Sequence, residues 1–354
     1  MLFITNRDPI GSKTGRLPRA IRFDLKDPEP TAHGFFCERG DDGSFVEIGS
    51  NKLFAKLQHQ DRKHVLLFIH GFNVEMPDAL QSADDLQRAC DHLFPDGVVV
   101  VPLIWPSMGK VLAYWDDQDS AEASAKSFAR VLARFMAWRD EMEAKRLEYI
   151  RMTEDQRGAT EEPKICDRRI SLLSHSMGNR VLRFTLAQVF RKTHSMPFMF
   201  RNVFMVAADI VNESLERGED GRLISDASRN VVVYHAADDL ALRGSKASNL
   251  SNGVVSRRLG HSGPEDMNAV ARRVYAVDCC GFNNSYDDPL GHSYYVSDEF
   301  QSRRTNDPGA VMRHIAYALR TGRVDIPHSQ SHVDPQQLSE PRSFQMEAGY
   351  RAPG

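Results

Sequence analysis

Six short runs of apolar, mostly β-branched residues are the feature that most limits how this chain can fold. They lie at 65–69, 98–104, 170–174, 203–207, 231–235 and 274–277. Each is closed by charged or turn-forming residues, which predicts strands buried on both faces. Apolar residues recur near helical spacing between them, at 78–93, 121–149 and 177–190. This alternation indicates an α/β fold, in which helices cover both faces of a mostly parallel central sheet of about eight strands.

The N-terminal part of the chain predicts antiparallel strands at one edge of this sheet. An apolar run at 2–5 is followed by segments 34–38 and 45–48, and the last two are separated by Gly40-Asp41-Asp42-Gly43. Glycine and aspartate at such a position favour a hairpin turn. Parallel sheets often carry an antiparallel edge of this kind.

A single domain over 1–327 accounts for all of these segments. Residues 138–167 within it are dense in charge, and their first half is expected to prolong the preceding helix away from the sheet, as an extension or insertion. Residues 328–354 contain many polar residues and three prolines without periodicity. A disordered tail is therefore expected there.

The charge balance narrows the class of partner. The 45 lysines and arginines against 48 aspartates and glutamates give a formal net charge of −3, so no global field recruits nucleic acid or an anionic membrane. Residues 1–9 show no basic lead and no long apolar stretch, and the five cysteines lack paired CxxC spacing. We expect a cytoplasmic protein that has no stable membrane insertion, disulfide framework or metal site and acts on a small molecule.

The run Ser174-His175-Ser176-Met177-Gly178 connects a predicted strand to a predicted helix. A serine at such a sharp reversal can be held clear of the sheet as a nucleophile, and the turn tolerates only small neighbours. The usual pattern is G-x-S-x-G. The serine that replaces the first glycine is a mild change, because its short side chain still lets strand and helix approach. A serine here can also simply cap the helix, so the motif alone does not identify Ser176 as a nucleophile.

Two backbone N–H groups are candidates for stabilising negative charge on an attacked carbonyl oxygen. The first belongs to Met177, at the start of the helix, where the positive end of the helix dipole favours an anion. The second belongs to Phe72, in the loop His70-Gly71-Phe72-Asn73 that follows the strand at 65–69. The side chain of His70 is expected to be satisfied by nearby backbone and to shape this loop.

Two adjacent carboxylates, Asp238 and Asp239, follow the strand at 231–235. One of them would orient an imidazole, and either could instead cap the helical segment that comes next. We favour Asp239 as the acid, with Asp238 as an alternative. Asp209, which follows the strand at 203–207, is a further alternative acid and could line the site.

Two copies of the tripeptide Gly-His-Ser supply the candidate base, at His261 and His292. In the chain order Ser, Asp, His, the histidine follows the last strand, and only His292 lies beyond 274–277. Together, Ser176, Asp239 and His292 predict acyl transfer. His292 takes the Ser176 proton, Asp239 fixes the imidazole tautomer, and water hydrolyses the acyl-enzyme. This chemistry needs no metal or cofactor.

Seven motifs together resemble one known family. They are Leu2-Phe3-Ile4-Thr5-Asn6-Arg7, Ile69-His70-Gly71-Phe72-Asn73, Trp105-Pro106-Ser107, Ser174-His175-Ser176-Met177-Gly178-Asn179, Ala208-Asp209-Ile210, Asp239-Leu240-Ala241-Leu242 and Gly291-His292-Ser293-Tyr294-Tyr295. With them, the chain is similar to the α/β-hydrolase superfamily from about 1 to 326, and within it to a bacterial branch of α/β hydrolases of unknown function. The resemblance implies Ser176 as nucleophile, Asp239 as acid and His292 as base.

Four residues are candidates for the pocket around this triad: His70, Trp105, Asp209 and Tyr294. Trp105 follows a strand at its carboxyl end, where ligands bind in open α/β sheets. It can equally be a buried aromatic residue under the loop.

Three functions fit the sequence. The first is a serine esterase that hydrolyses a small-molecule carboxylic ester or thioester of a small or medium acyl group. The second is a lipase or phospholipase, which needs an apolar rim, and the chain shows no strongly amphipathic basic helix that would seat it on a bilayer. The third is a binding module that reuses the fold without catalysis.

Overall fold

One sheet runs through the molecule. The computed structural model of this protein describes residues 1–25, 29–107, 114–153, 168–244, 257–285, 290–295, 308–327 and 342–353. Within these ranges the strands are β1 Leu2–Thr5, β2 Arg19–Ala20, β3 Phe35–Arg39, β4 Phe45–Glu47, β5 His64–Ile69, β6 Val98–Ile104, β7 Arg169–His175, β8 Phe200–Val206, β9 Ser228–His235, β10 Val274–Asp278 and β11 Ser343–Gln345. Their order in the sheet is β11-β10-β9-β8-β7-β5-β6-β1-β3-β4-β2.

Helices cover both faces of the sheet. In the described part of the chain they are α1 Ser50–His59, α2 Met76–Leu93, α3 Tyr114–Arg151, α4 Gly178–Thr193, α5 Arg222–Asp226, α6 Leu259–Ser262 and α7 Ala310–Thr321, and single 3₁₀ turns lie at Asn212–Leu215 and Asn283–Ser285. The sequence pattern predicted α2, α3 and α4 but not α1 or α7.

The six apolar runs form adjacent parallel strands, from β10 through β9, β8, β7 and β5 to β6. The predicted α/β-hydrolase fold class is therefore confirmed. Because parallel strands end at the same edge, the loops after β5, β7, β9 and β10 leave the sheet side by side. The register places Ile69, the last residue of β5, opposite Ser174, the second-last residue of β7.

Apolar cores on both faces of the sheet hold the layers together. Apolar residues of α1, α3 and α4, such as Leu53, Phe128 and Leu182, pack on one face of the sheet. Residues of α2 and α7, such as Leu86 and Ile315, pack on the other. Burial on both faces explains why the central strands read as continuous apolar runs rather than as alternating patterns.

The N-terminal edge is antiparallel, as predicted. β1 pairs with β3, and β3 pairs with β4 through a hairpin in which Gly43 adopts a φ of 78°. The sheet nevertheless has eleven strands within the described ranges instead of about eight. The two-residue β2 and the three-residue β11 are too short to give a periodic signal, and they extend the sheet at its two ends.

The C-terminal segment differs from the predicted disordered tail. Residues 328–341 lie outside the described residues, but Ser343–Gln345 form β11, which pairs in parallel with β10. Phe344, Met346 and Tyr350 are buried against the face that carries α2 and α7. The prediction of disorder rested on the average composition, which polar residues dominate. It missed these apolar side chains, whose burial holds the segment on the sheet.

The charged segment predicted at 138–167 begins as a continuation of α3, which runs from Tyr114 to Arg151 without interruption. Its residues beyond Trp138 are mostly exposed. Residues 154–167 lie outside the described residues. Although α3 is 38 residues long, neither it nor any other helix in the described ranges is apolar enough to cross a membrane.

Replacing Phe344 with alanine should lower the free energy of unfolding by about 3 kcal/mol, because the variant loses buried apolar surface and leaves a cavity. Urea unfolding measures this difference. The matched control is Gln345→Ala, an exposed position on the same strand, which should change the free energy by less than about 0.5 kcal/mol. Equal, small effects of both substitutions would contradict the packing of this segment on the sheet.

Candidate active site

Ser176 lies in a two-residue turn between β7 and α4, which it shares with Met177. Its φ of 50° is in the left-handed region, which costs a non-glycine residue about 1–3 kcal/mol. Backbone hydrogen bonds hold this conformation. The N–H of Ser176 donates to the carbonyl oxygen of Val206 at 3.0 Å, and its own carbonyl oxygen accepts from the N–H of Asn179 at 3.1 Å. The serine is therefore fixed by the neighbouring strand and by the helix it precedes.

Two glycines let the loop after β5 press against this turn. A Cβ atom at Gly178 would lie 2.6 Å from the carbonyl oxygen of His70 and 2.8 Å from that of Ile69. A Cβ atom at Gly71 would lie 3.0 Å from Cβ of Ser176. The glycine two residues after the serine is thus required by close packing of backbones, as the sequence motif suggested.

Asp239 follows β9 and is fully buried. Its Oδ2 accepts a hydrogen bond from Nδ1 of His292 at 2.7 Å, and its Oδ1 accepts one from the N–H of Leu242 at 2.9 Å. Asp238 has a different partner, because its Oδ2 accepts from Nδ2 of Asn284 at 3.0 Å. Of the two adjacent carboxylates, Asp239 is the one that contacts the imidazole.

Asp209, the other alternative acid, supports the serine turn instead. Its Oδ1 lies 3.2 Å from Nε of Arg258, in an ion pair whose two side chains are each 3% exposed. Its Oδ2 accepts the hydroxyl hydrogen of Tyr114 at 2.8 Å. The N–H of Asp209 also donates to the carbonyl oxygen of Ser176 at 3.2 Å. Asp209 therefore ties the turn to the start of α3 and to the segment before α6.

A cavity of about 540 Å³ opens where these loops meet, and both Ser176 and His292 line it. The other described residues around it are Phe72, Asn73, Val74, Tyr114, His175, Asp209, Leu240, Ala241, Leu242, Gly244, Leu290 and Ser293. A second cavity, of about 40 Å³, lies in the core beneath α1 and α3, and Arg168 is the one polar residue among those that line it. Ser176 and His292 therefore line the larger of these two cavities.

Of the predicted pocket residues, Asp209 lines this cavity, but His70, Trp105 and Tyr294 do not. The rings of His70 and Trp105 stack with centroids 5.1 Å apart, and Nε1 of Trp105 donates to the carbonyl oxygen of His70 at 2.9 Å. The hydroxyl of Tyr294 donates to the carbonyl oxygen of Tyr234 at 3.1 Å. Their polar atoms are satisfied inside the protein, so these rings stay buried.

Burial also determines the protonation state of His70. Desolvation lowers the pKa of its imidazole to about 4. The ring is therefore neutral at pH 7, so only one of its two nitrogens carries a hydrogen to donate. Nδ1 lies 2.9 Å from the carbonyl oxygen of Gly71 and Nε2 lies 3.1 Å from that of Trp105, and the protonated nitrogen helps to shape the loop.

The structure describes both residues whose backbone N–H groups are the predicted oxyanion donors. Phe72 follows β5 and lines the cavity, and Met177 immediately precedes α4. Within the described ranges, neither backbone N–H donates a hydrogen bond to another residue. The start of α4 adds the positive end of its dipole at this position.

His175 was missed by sequence reasoning and lies in the site. It lines the cavity, and its ring centroid lies 4.8 Å from that of His292 and 5.0 Å from that of Tyr295. Its place between Ser174 and Ser176 was the one available signal. The contact with a loop 117 residues away could not be read from the sequence.

A family model described as "Alpha/beta hydrolase of unknown function (DUF900)" matches residues 48–148 and 160–301, which is more than half of the 354-residue chain. The matched ranges include Ser176, Asp239 and His292. No curated protein matches the chain.

Proposed function

The chain belongs to this family of alpha/beta hydrolases, and on that premise we propose that it is a serine hydrolase with a Ser-His-Asp triad. Ser176 is the nucleophile, His292 is the general base and acid, and Asp239 orients His292. The substrate is a carboxylic ester or a thioester.

The contact of 2.7 Å between Nδ1 of His292 and Oδ2 of Asp239 is the observation that carries this proposal. A carboxylate only accepts hydrogen bonds, so Nδ1 bears the hydrogen and Nε2 keeps its lone pair for a proton. Asp239 is fully buried, and the low dielectric around it strengthens its interaction with a positively charged imidazole. Ser176 and His292 line the same cavity, where a carbonyl group can reach both.

The first half-reaction acylates the enzyme. Oγ of Ser176 forms a bond to the carbonyl carbon of the substrate, and the hydroxyl proton passes to Nε2 of His292. The bond from that carbon to the leaving oxygen or sulfur then breaks, and His292 returns the proton to the departing alcohol or thiol. Asp239 stabilises the imidazolium between these two proton transfers.

The second half-reaction releases the acid. His292 takes a proton from water, whose oxygen attacks the carbonyl carbon of the acyl-enzyme. The bond to Oγ of Ser176 breaks, and His292 protonates that oxygen. The N–H groups of Phe72 and Met177 stabilise the negative carbonyl oxygen in both tetrahedral intermediates.

A fluorophosphonate probe should label the wild-type protein at Ser176, and Ser176→Ala should abolish both labelling and the hydrolysis of p-nitrophenyl butyrate. Intact mass and peptide mapping locate the label. Ser293→Ala is the matched control, because Ser293 also lines the cavity, and it should label normally. If folded wild-type protein is not labelled, the proposal fails and a binding module without catalysis is favoured.

Replacing Asp239 with asparagine should lower kcat by about 10⁴-fold, because an amide lets the imidazole adopt the wrong tautomer. Steady-state kinetics with the same ester measures the loss. The neighbouring Asp238→Asn should stay within about threefold of wild type, because the carboxylate of Asp238 contacts Asn284. A large loss in Asp238→Asn or Asp209→Asn, with activity kept in Asp239→Asn, would assign the acid elsewhere.

A further inference from the structure

Two exposed leucines stand beside the triad in the cavity wall. Leu240 follows Asp239 directly, and Leu290 lies two residues before His292. Both line the cavity, yet 41% of Leu240 and 46% of Leu290 remain exposed. The N–H of Leu240 donates to the carbonyl oxygen of Leu290 at 2.9 Å, so the two loops hold the pair together.

Single exposed leucines are normal on a protein surface and need no explanation. This pair differs because it adjoins further apolar residues, Leu242, Phe72 and Val74, which line the same cavity. An apolar group that covers these side chains removes them from water and gains binding free energy. The wall thus favours an apolar ligand.

The charged residues of the cavity wall also favour a ligand without negative charge. No lysine or arginine is among the described residues that line it, so these residues offer no cation to an anionic ligand. Asp209 supplies the carboxylate in this wall, and its two oxygens contact Arg258 and Tyr114. Among the described lining residues, a negatively charged group of a ligand would therefore meet the carboxylate of Asp209 and no lysine or arginine.

We propose that the substrate is an uncharged ester or thioester with an apolar chain of several carbons, which packs on Leu240 and Leu290. This proposal rests on the proposed serine-hydrolase function, because it assigns the substrate of that site.

The test is a series of p-nitrophenyl esters from acetate to hexanoate, assayed with the full chain below the concentrations at which the esters aggregate. For the wild type, kcat/KM should rise by about threefold to fourfold for each added methylene. In the double variant Leu240→Asn, Leu290→Asn, the increase per methylene should fall below about 1.5-fold. The matched control is Leu147→Asn, whose leucine is 44% exposed on α3 and does not line the cavity.

A flat series in the wild type, or a slope that the double variant keeps, overturns the substrate class. Fluorophosphonate labelling of Ser176 in the same samples separates this failure from a failure of the serine-hydrolase proposal. Labelled protein with a flat series keeps the catalytic proposal and rejects only the apolar chain.

A second inference concerns His175, which joins two loops of the site. Its Nε2 lies 3.2 Å from the backbone carbonyl oxygen of His292. Because a carbonyl oxygen only accepts, this nitrogen carries the hydrogen and donates it. On the other side, a Cβ atom at Gly71 would approach Nδ1 of His175 to 3.0 Å. The ring therefore fills the space between the oxyanion loop and the loop of the proposed base.

The protonation state of His175 suits this place. Burial, together with the nearby His292, lowers the pKa of His175 well below its ordinary value. A neutral ring beside His292 avoids the repulsion that a second cation would exert on the imidazolium formed during catalysis.

We infer that His175 is a positioning residue, which holds the backbone of His292 in place by donating its Nε2 hydrogen to the carbonyl oxygen of that residue.

Two variants separate the hydrogen bond from packing. His175→Gln can place an N–H near the position of Nε2 and should keep kcat within about threefold of wild type. His175→Phe keeps an aromatic ring but lacks a hydrogen-bond donor. Because it loses one hydrogen bond, it should lower kcat by about tenfold and leave KM little changed. If the phenylalanine variant does not fold, His175→Met, which also lacks a donor, replaces it.

Thermal unfolding of each variant monitors packing independently. Equal losses of kcat in the glutamine and phenylalanine variants would assign His175 to packing alone and overturn the inference. So would an effect confined to KM, or a phenylalanine variant with full kcat. Labelling of Ser176 in the wild type again tests the catalytic proposal separately.

Discussion

The close approach of three backbones around Ser176 is the constraint on which the site depends. The loop after β5, the end of β7 and the end of β8 meet there, and Ser176 adopts a φ of 50° between them. Hydrogen bonds to Val206 and Asp209 hold it, and Gly178 leaves room for the carbonyl oxygens of the β5 loop. Any side chain at 178 would push the strand-to-helix turn away from that loop.

Two buried carboxylates in this region take different roles because they have different partners. Asp239 contacts the imidazole of His292 at 2.7 Å, and an imidazole can take up and release a proton. Asp209 is paired with the guanidinium of Arg258 at 3.2 Å. An arginine cannot relay protons, so this pair contributes to structure, and removing one buried partner of such a pair costs about 3–5 kcal/mol. Each carboxylate is compensated inside the protein, and the cavity between them keeps a largely apolar wall.

Much of the fold followed from local sequence, and the exceptions have physical reasons. The apolar runs predicted the central strands because burial on both faces demands continuous apolar residues. The helix α1 and the strand β11 escaped prediction because they are short, and their stability comes from packing on the sheet instead of from a periodic pattern. Trp105 illustrates a different limit. Its position after a strand fitted a pocket wall and a buried aromatic residue equally well. Its stacking on His70 shows that it lies in the interior.

The sequence alone determined the class of fold, the serine turn and the order of serine, carboxylate and histidine along the chain, because strand burial and turn sterics act over a few neighbouring residues. It left two adjacent aspartates and a third as candidate partners of the histidine. Only the tertiary structure brought Asp239 into contact with His292, placed His175 against His292 and set Leu240 beside Leu290. These contacts join segments that lie far apart in the chain, so no local pattern encodes them, and they form only when parallel strands bring their carboxyl ends to one edge of the sheet.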